Sequence, residues 1–327
     1  MPTDTQTLTN LYATELQPIL GKLEQRRKQV CQRVIIFVAV FLPATLGLIV
    51  LTPHWTELLF ALVFGLIAWR FFVNAALKEY RSFFKSEVIT RLAYAVDPDL
   101  IYVQDHGIDR AAFRDSGIYR QGIDRYAAAD LFRGYVGATA FRFSEVHAEY
   151  KTVTTDSKGR QNTHWHTIFR GIFFIADFNK HFYGQTFVLP DKAERAFGGF
   201  GRMLQDWVSK LDDRPGDLVH LEDPEFEQAF AVVSTDQVEA RYILSTSLMQ
   251  RLLSFRAQLG MPVAISFVNS NMYIAISTRK NYFEPPSIWR MGSELTQDDI
   301  ASYFEDLRLA EDIVADLKLN TRIWSKQ

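Results

Sequence analysis

The run VIIFVAVFLPATLGLIVL (residues 34–51) holds eighteen residues without a charge, and its reading decides what kind of protein this is. As a helix it would extend about 27 Å, against a bilayer hydrocarbon core of about 30 Å. A secretory signal peptide fits poorly, because the run starts only at Val34, is too long for that segment's apolar region and is followed by no small-x-small cleavage site. It reads as a transmembrane helix.

Working outward toward the C-terminus, TPHW (residues 52–55) reads as a turn and TELLFALVFGLIAWRFFVNAAL (residues 56–77) as a second span. The charge-free part, residues 58–69, is too short to cross alone. Arg70 extends it by snorkelling beside Trp69, which lets residues 71–73 continue the apolar surface while the guanidinium stays wet. Trp55, Trp69 and Arg70 are therefore expected at the membrane interface. A buried core helix competes for this second run, but the hairpin is preferred. Two spans joined by so short a turn must be antiparallel neighbours, each satisfying its own backbone in lipid.

The flanks orient the hairpin. Lys22, Arg26, Arg27, Lys28 and Arg33 precede it, Arg70, Lys78, Arg81, Lys85 and Arg91 follow it, and the turn carries no Lys or Arg. Positive charge on one side predicts a two-pass protein of a cell's inner membrane with both termini cytoplasmic. Beyond the spans, Leu8, Leu11, Tyr12, Leu16, Ile19, Leu20, Leu23 and Val30 recur at helical spacing, as do Leu77, Tyr80, Phe84, Val88, Leu92 and Val96 up to the DPD break at residues 97–99. These stripes predict that both helices continue into the cytoplasm and pack as a stalk.

After residue 99 the pattern turns to short β-branched and aromatic runs. Residues 131–135, 140–146, 168–174, 185–189 and 230–233 read as strands, with TDSKGR (residues 155–160) as a polar loop. The apolar run 168–176 is broken by Arg170 and ended by Asp177, so it is a core strand rather than a span. A helix over 247–259 stops at Gly260, and residues 263–278 form a hairpin turned by Asn269 to Asn271. A helix from Thr296 to about residue 319 closes the chain.

The expected fold is α+β: an N-terminal helical segment (1–33), a transmembrane hairpin (34–77), a stalk helix (78–97) and a mostly antiparallel cytoplasmic domain with packed helices (98–327), divided, if at all, near 195–216. The totals agree with a folded chain: 327 residues, 48% hydrophobic and 14% aromatic. A net charge of −2, from 36 basic and 38 acidic residues, offers no chain-wide basic surface and argues against nucleic acid. The lone cysteine, Cys31, excludes an internal disulfide and any cysteine-cluster metal site.

The paired hydrophobic helices, FSEVHAEY (residues 143–150), FRGIFFIADFNKHFYGQTFVLPD (169–191), FEQAFAVVSTDQVEARYILS (226–245) and NMYIAI (271–276) together resemble the bacterial membrane proteins grouped as domain of unknown function 3137. The resemblance implies a membrane-anchored protein and carries no catalytic residue with it.

Chemistry is sparse. His164 and His166, two apart on a strand, face the same side as zinc ligands do, with Asp177 or His181 to complete a set; the competing reading is a solvated strand start. Asp177, Asn179 and Lys180 read as a turn or an interaction signature. GGFG (198–201) lacks the order of a nucleotide loop, and EDPEFE (222–227) reads as a solvated acidic loop. Glu239 and Arg241 are expected to hold the start of a helix. No Ser-His-Asp set and no cofactor is implied. The function expected is a membrane-anchored binding or scaffolding module whose partners are the lipid bilayer and another protein, with oligomers allowed. The alternative is a metal-assisted hydrolase at His164 and His166. A channel is disfavoured, since two helices without an intramembrane acid form no pathway unless they oligomerise.

Overall fold

In the computed structural model, residues 8–51, 55–178, 181–190, 216–289 and 295–316 are described. They divide into two compact units, residues 1–97 with 283–305, and residues 98–282 with 306–327. Residues 283–305, which follow the strands in the chain, group by their contacts with the helices.

In the first unit a continuous helix contains a wide i→i+5 turn at Tyr12–Leu16 and then α1, Gln17–Leu51. The second helix runs as α2 (Trp55–Trp69), a wide turn (Arg70–Asn74), α3 (Ala75–Phe84), another wide turn (Lys85–Ile89) and α4 (Thr90–Val96). It ends at Asp97, whose backbone is extended because Pro98 follows. Leu16, Leu20, Leu23 and Val30 on one helix and Tyr80, Phe84, Val88 and Leu92 on the other are buried, as the stripes predicted. Leu77 and Val96 are only half-buried, whereas Ile89 and Ala93 are buried. The wide turns explain the shift, since each adds a residue to its turn and rotates the following face.

Further along, both helices are bare. Val40, Phe64 and Phe71 expose 66%, 67% and 74% of their surface. Among the described residues two helices are long and apolar enough to cross a membrane. They touch where Phe37 meets Trp69 edge-on at 5.2 Å, and a Cβ at Gly65 would collide with the Phe41 ring.

The second unit is built on one antiparallel sheet. Its strands are β1 (Ile101–Val103), β2 (Arg125–Val136), β3 (Thr139–Thr155), β4 (Gln161–Asp177), β5 (Thr186–Pro190), β6 (Asp217–Leu218), β7 (Phe230–Ser234), β8 (Val263–Val268) and β9 (Asn271–Ser277). Their spatial order is β1-β2-β3-β4-β9-β8-β5-β7-β6. The α+β class therefore holds. Strands β2, β3 and β4 are far longer than their apolar runs; β3 and β4 have 17 residues each. The β8–β9 turn is Asn269 and Ser270, both at positive φ.

Alternation sends β4 into two cores at once. Phe169, Phe173 and Ile175 face a layer formed by α5 (Arg110–Asp115) and its flanks. The Phe113 ring lies 4.9 Å from Phe173, and Tyr119 lies 5.3 Å from Phe169. Two buried serines fasten that layer, with Ser266 Oγ donating to the Ser116 carbonyl (2.7 Å) and Ser144 Oγ accepting from the Ile108 amide (2.9 Å). On the other face Phe174 stacks with Phe141, and Phe143 with Phe132. Helices α6 (Pro224–Ala229), α7 (Gln237–Ile243) and α8 (Thr246–Leu259) follow, with Phe226 of α6 packed on Phe230 at 5.1 Å. Gly260 ends α8 at φ +59. The last helix, α9, covers Gln297–Asp316.

Candidate functional site

Among the described residues, two concavities on the sheet stand out. The larger, about 430 Å³, is lined by Arg133, Tyr135, Arg142, Ile175, Asp177 and Asn271 among others. Arg133 pairs across the ladder with Arg142, and Arg142 with Ile175, so the two guanidinium groups leave the same face side by side. Like charges directly opposite are destabilising in a ladder; here both side chains are exposed and water screens them. Asp177 stands two residues beyond Ile175, diagonal to Arg142. Beside this groove burial pushes the Tyr273 hydroxyl pKa up, Asp115 adds to the shift and Arg142 opposes it.

The smaller concavity, about 280 Å³, is lined by Glu145, His147, Arg170, Gly171, Lys280 and Asn281 together with Ala127 to Ala129 and Val146. Its charges are engaged. Glu145 accepts from the Tyr282 amide (2.6 Å), Arg170 donates to Asn281 Oδ1 (3.0 Å), and Lys280 pairs with Asp306 (2.6 Å) while lying over the Tyr282 ring. His147 Nε2 sits 3.6 Å from Glu149. This is a stiff polar groove suited to hydrogen bonding a ligand; no nucleophile beside an activating base stands among the residues lining it.

His164 and His166 share one side of β4, as spaced. His164 lies opposite Thr152 and is exposed, and His166 stacks on Tyr150 at 4.8 Å with Nε2 2.8 Å from Thr152 Oγ1. Asp177, suggested to complete a metal set, is eleven residues further along the same strand, on the order of 30 Å away. Among the described residues no three His, Cys, Asp or Glu side chains converge as a metal site would require. Asp177 ends β4, where the Phe178 amide donates to the Ser270 carbonyl (2.9 Å). Asn179, Lys180, the GGFG stretch and most of the suggested division at 195–216 lie outside the described residues.

The carboxylates of the family-like stretches hold backbone. Asp223 Oδ1 accepts from the Glu225 and Phe226 amides and so caps α6, while Glu227 accepts from the Leu221 amide (2.8 Å). The stretch 222–227 is thus a helix start rather than a free loop. Asp236 caps α7 in the same way. Glu239 does more than secure a helix start: it accepts from the amides of Tyr183 (2.8 Å) and Gly184 (2.6 Å), 56 and 55 residues away in the chain. Arg241 donates to the carbonyls of Gln237 and His220. Trp69 packs on Phe37, Arg70 is exposed on its helix, and the Trp55 side chain is outside the described residues.

The sequence reading missed the Arg133 and Arg142 pair. Its only signal is the β2–β3 register, which no local pattern reveals.

Residues 167–319 match the family model described as "Protein of unknown function (DUF3137)", which supports the resemblance seen in the sequence. The match contains the quoted stretches at 169–191, 226–245 and 271–276; the paired apolar helices lie outside it. No curated protein and no solved structure matches the chain.

Proposed function

We propose that this chain is a bacterial inner-membrane protein, held by a two-pass hairpin with both termini cytoplasmic, whose sheet unit binds another protein. The bare apolar helices carry the membrane reading. Among the described residues, sixteen large hydrophobic side chains from Ile35 to Phe72 stand exposed, and removing them from water would be worth on the order of 20 kcal/mol. That exceeds the whole stability of a typical domain, about 5–15 kcal/mol. Lipid is the environment that makes this surface favourable. The basic flanks before the first span and after the second support the cytoplasmic orientation.

Binding is favoured over catalysis by the groove at Arg133 and Arg142. Two exposed cations, in a groove that Asp99 and Asp177 also line, offer hydrogen bonds to carboxylates or backbone carbonyls of a partner chain, with Tyr135 exposed beside them as an aromatic contact. The test is a photo-crosslinking residue placed at Tyr135 in one variant and at Val238, exposed on α7, in another, both in native membranes that resist carbonate extraction. A discrete protein adduct at position 135 and none at 238 is expected. Release of the chain by carbonate would remove the membrane reading, and identical adducts at both positions would remove the groove.

A further inference from the structure

Residues 283–289, FEPPSIW, climb the helical stalk toward the spans. Glu284 pairs with Lys85 (2.8 Å) and with Arg81 (3.5 Å). The Pro286 carbonyl accepts from the Tyr80 hydroxyl (3.3 Å). The Ile288 carbonyl accepts from Arg27 Nη1 (2.6 Å) and from Cys31 Sγ (3.1 Å). These tethers form a ladder in height. Lys85 lies twelve residues beyond Val73, about 18 Å down the axis from the end of the second apolar run. Tyr80 lies about 10 Å down it, and Cys31 stands three residues before Val34, about 4.5 Å from the start of the first run.

The strap is stiff as well as tethered. Pro285 and Pro286 fix φ at two successive positions. Lys85 is 6% exposed and pairs with Glu284, so the lower end is anchored by a largely buried charge. At the upper end Arg27 is gripped by Glu24 through two hydrogen bonds, 2.6 and 2.8 Å. That grip lowers the Glu24 carboxyl pKa and raises that of Arg27. The bound Arg27 presents its Nη1 to the Ile288 carbonyl.

The next residue is Trp289, and 59% of it is exposed. The tethers hold it within about one helical turn of the first apolar run, at the height of a basic collar that includes Lys28 and Arg33. In water an exposed indole at the end of a rigid strap is an unpaid cost. At the boundary between headgroups and acyl chains the apolar ring is buried while its N–H keeps a polar partner, which is why Trp concentrates there. The geometry points to Trp289 as a third membrane contact: an interfacial anchor, remote in sequence from the hairpin, that docks the strap on the lipid surface. The inference rests on the transmembrane reading of the hairpin.

The test uses the full chain in vesicles of mixed zwitterionic and anionic phospholipid brominated near the top of the acyl chains. The protein has 6 Trp, and three variants each retain one of them, Trp289, Trp69 or Trp165, with the others changed to Phe. Trp289 and Trp69 emission should be quenched and blue-shifted, and Trp165, on the sheet, should not change. Quenching of Trp69 without Trp289 overturns the anchor and leaves the hairpin standing. No quenching of either overturns the hairpin, and the anchor with it. Equal quenching of Trp165 and Trp289 means general adherence of the protein to lipid and also overturns the anchor. Should the multiple Phe variants fail to fold, Cys31→Ser with Trp289→Cys carries one spin label. Its collision rate should then favour oxygen over a water-soluble nickel reagent; the reverse preference refutes the anchor.

Discussion

Strands β3 and β4 form one hairpin with two unlike halves. From Phe141 opposite Ala176 to Ala148 opposite Phe169, the pairs carry large apolar side chains that are mostly buried on both faces. From Glu149 opposite Thr167 to Thr155 opposite Gln161 the ladder continues unbroken, yet residues 151–165 are exposed throughout. A register shift between Ala148 and Glu149, with Ile168 as the extra residue, marks the boundary. The backbone hydrogen bonding is the same on both sides. The difference separates what burial contributes from what pairing alone contributes.

Near the sheet's centre, pairing is secondary to burial. Phe173 is fully buried and touches the rings of Phe113, Phe169 and Tyr273. Changing Phe173 to Asp leaves an unpaired carboxylate there and should cost several kcal/mol, of the order of the domain's whole stability. Loss of the cooperative melting transition of the sheet unit is expected. A melting temperature within a few degrees of the parent would show that this half is not the core.

Where β4 enters the core, close approach matters more than side-chain bulk. Gly171 adopts φ +152, and a Cβ there would collide with the Ile276 carbonyl oxygen and lie 2.9 Å from the Thr278 amide. Those atoms belong to the β4–β9 seam, where the Thr278 amide donates to the Arg170 carbonyl (3.0 Å). Gly171→Ala should therefore destabilise by about 2–4 kcal/mol, through backbone strain and overpacking together. Urea unfolding would read this as a lower midpoint at unchanged slope. An unchanged midpoint would mean that the seam yields.

The same contrast explains what the sequence disclosed. The 34–51 run was legible from its uninterrupted apolar length, and the stalk stripes, the run 168–176 and the 263–278 hairpin because burial writes an apolar pattern into them. The outer parts of β3 and β4 were not, because residues such as Thr152, Thr154 and Asn162 face water on both sides and show no alternation. Helix α5 was missed for a different reason. It has 6 residues, too few for a period, and is held by its Asp109 cap and by Phe113 in the core. Glu239 was seen as a structural residue, but its clasp on Tyr183 and Gly184 depends on a tertiary approach that spacing does not encode. The histidine pair shows the converse. Its spacing was right for a shared face, and the length of β4 keeps Asp177, one of the two suggested further ligands, far away.

The outer half of the hairpin should be dispensable for stability. Its turn is well made, since Asp156 Oδ1 accepts from the Lys158 and Arg160 amides (2.8 Å each) and Gly159 supplies φ +77. Two side-chain contacts reinforce its base: Arg125 lies 3.9 Å over the Trp165 ring, and His166 stacks on Tyr150. Each exposed contact of this kind contributes about 0.2–1 kcal/mol, and a lone two-stranded ribbon in water is marginal at best. Replacing residues 153–163 by Asn-Gly joins Thr152 to His164, keeps both contacts and removes only solvated pairs. The expected change is below about 1 kcal/mol, because little apolar surface is lost and a shorter loop costs less closure entropy. Thermal melting of the shortened protein should overlay that of the parent, in contrast to both substitutions in the buried half. A loss of several degrees would show that the projecting ribbon stabilises the sheet through the ladder itself.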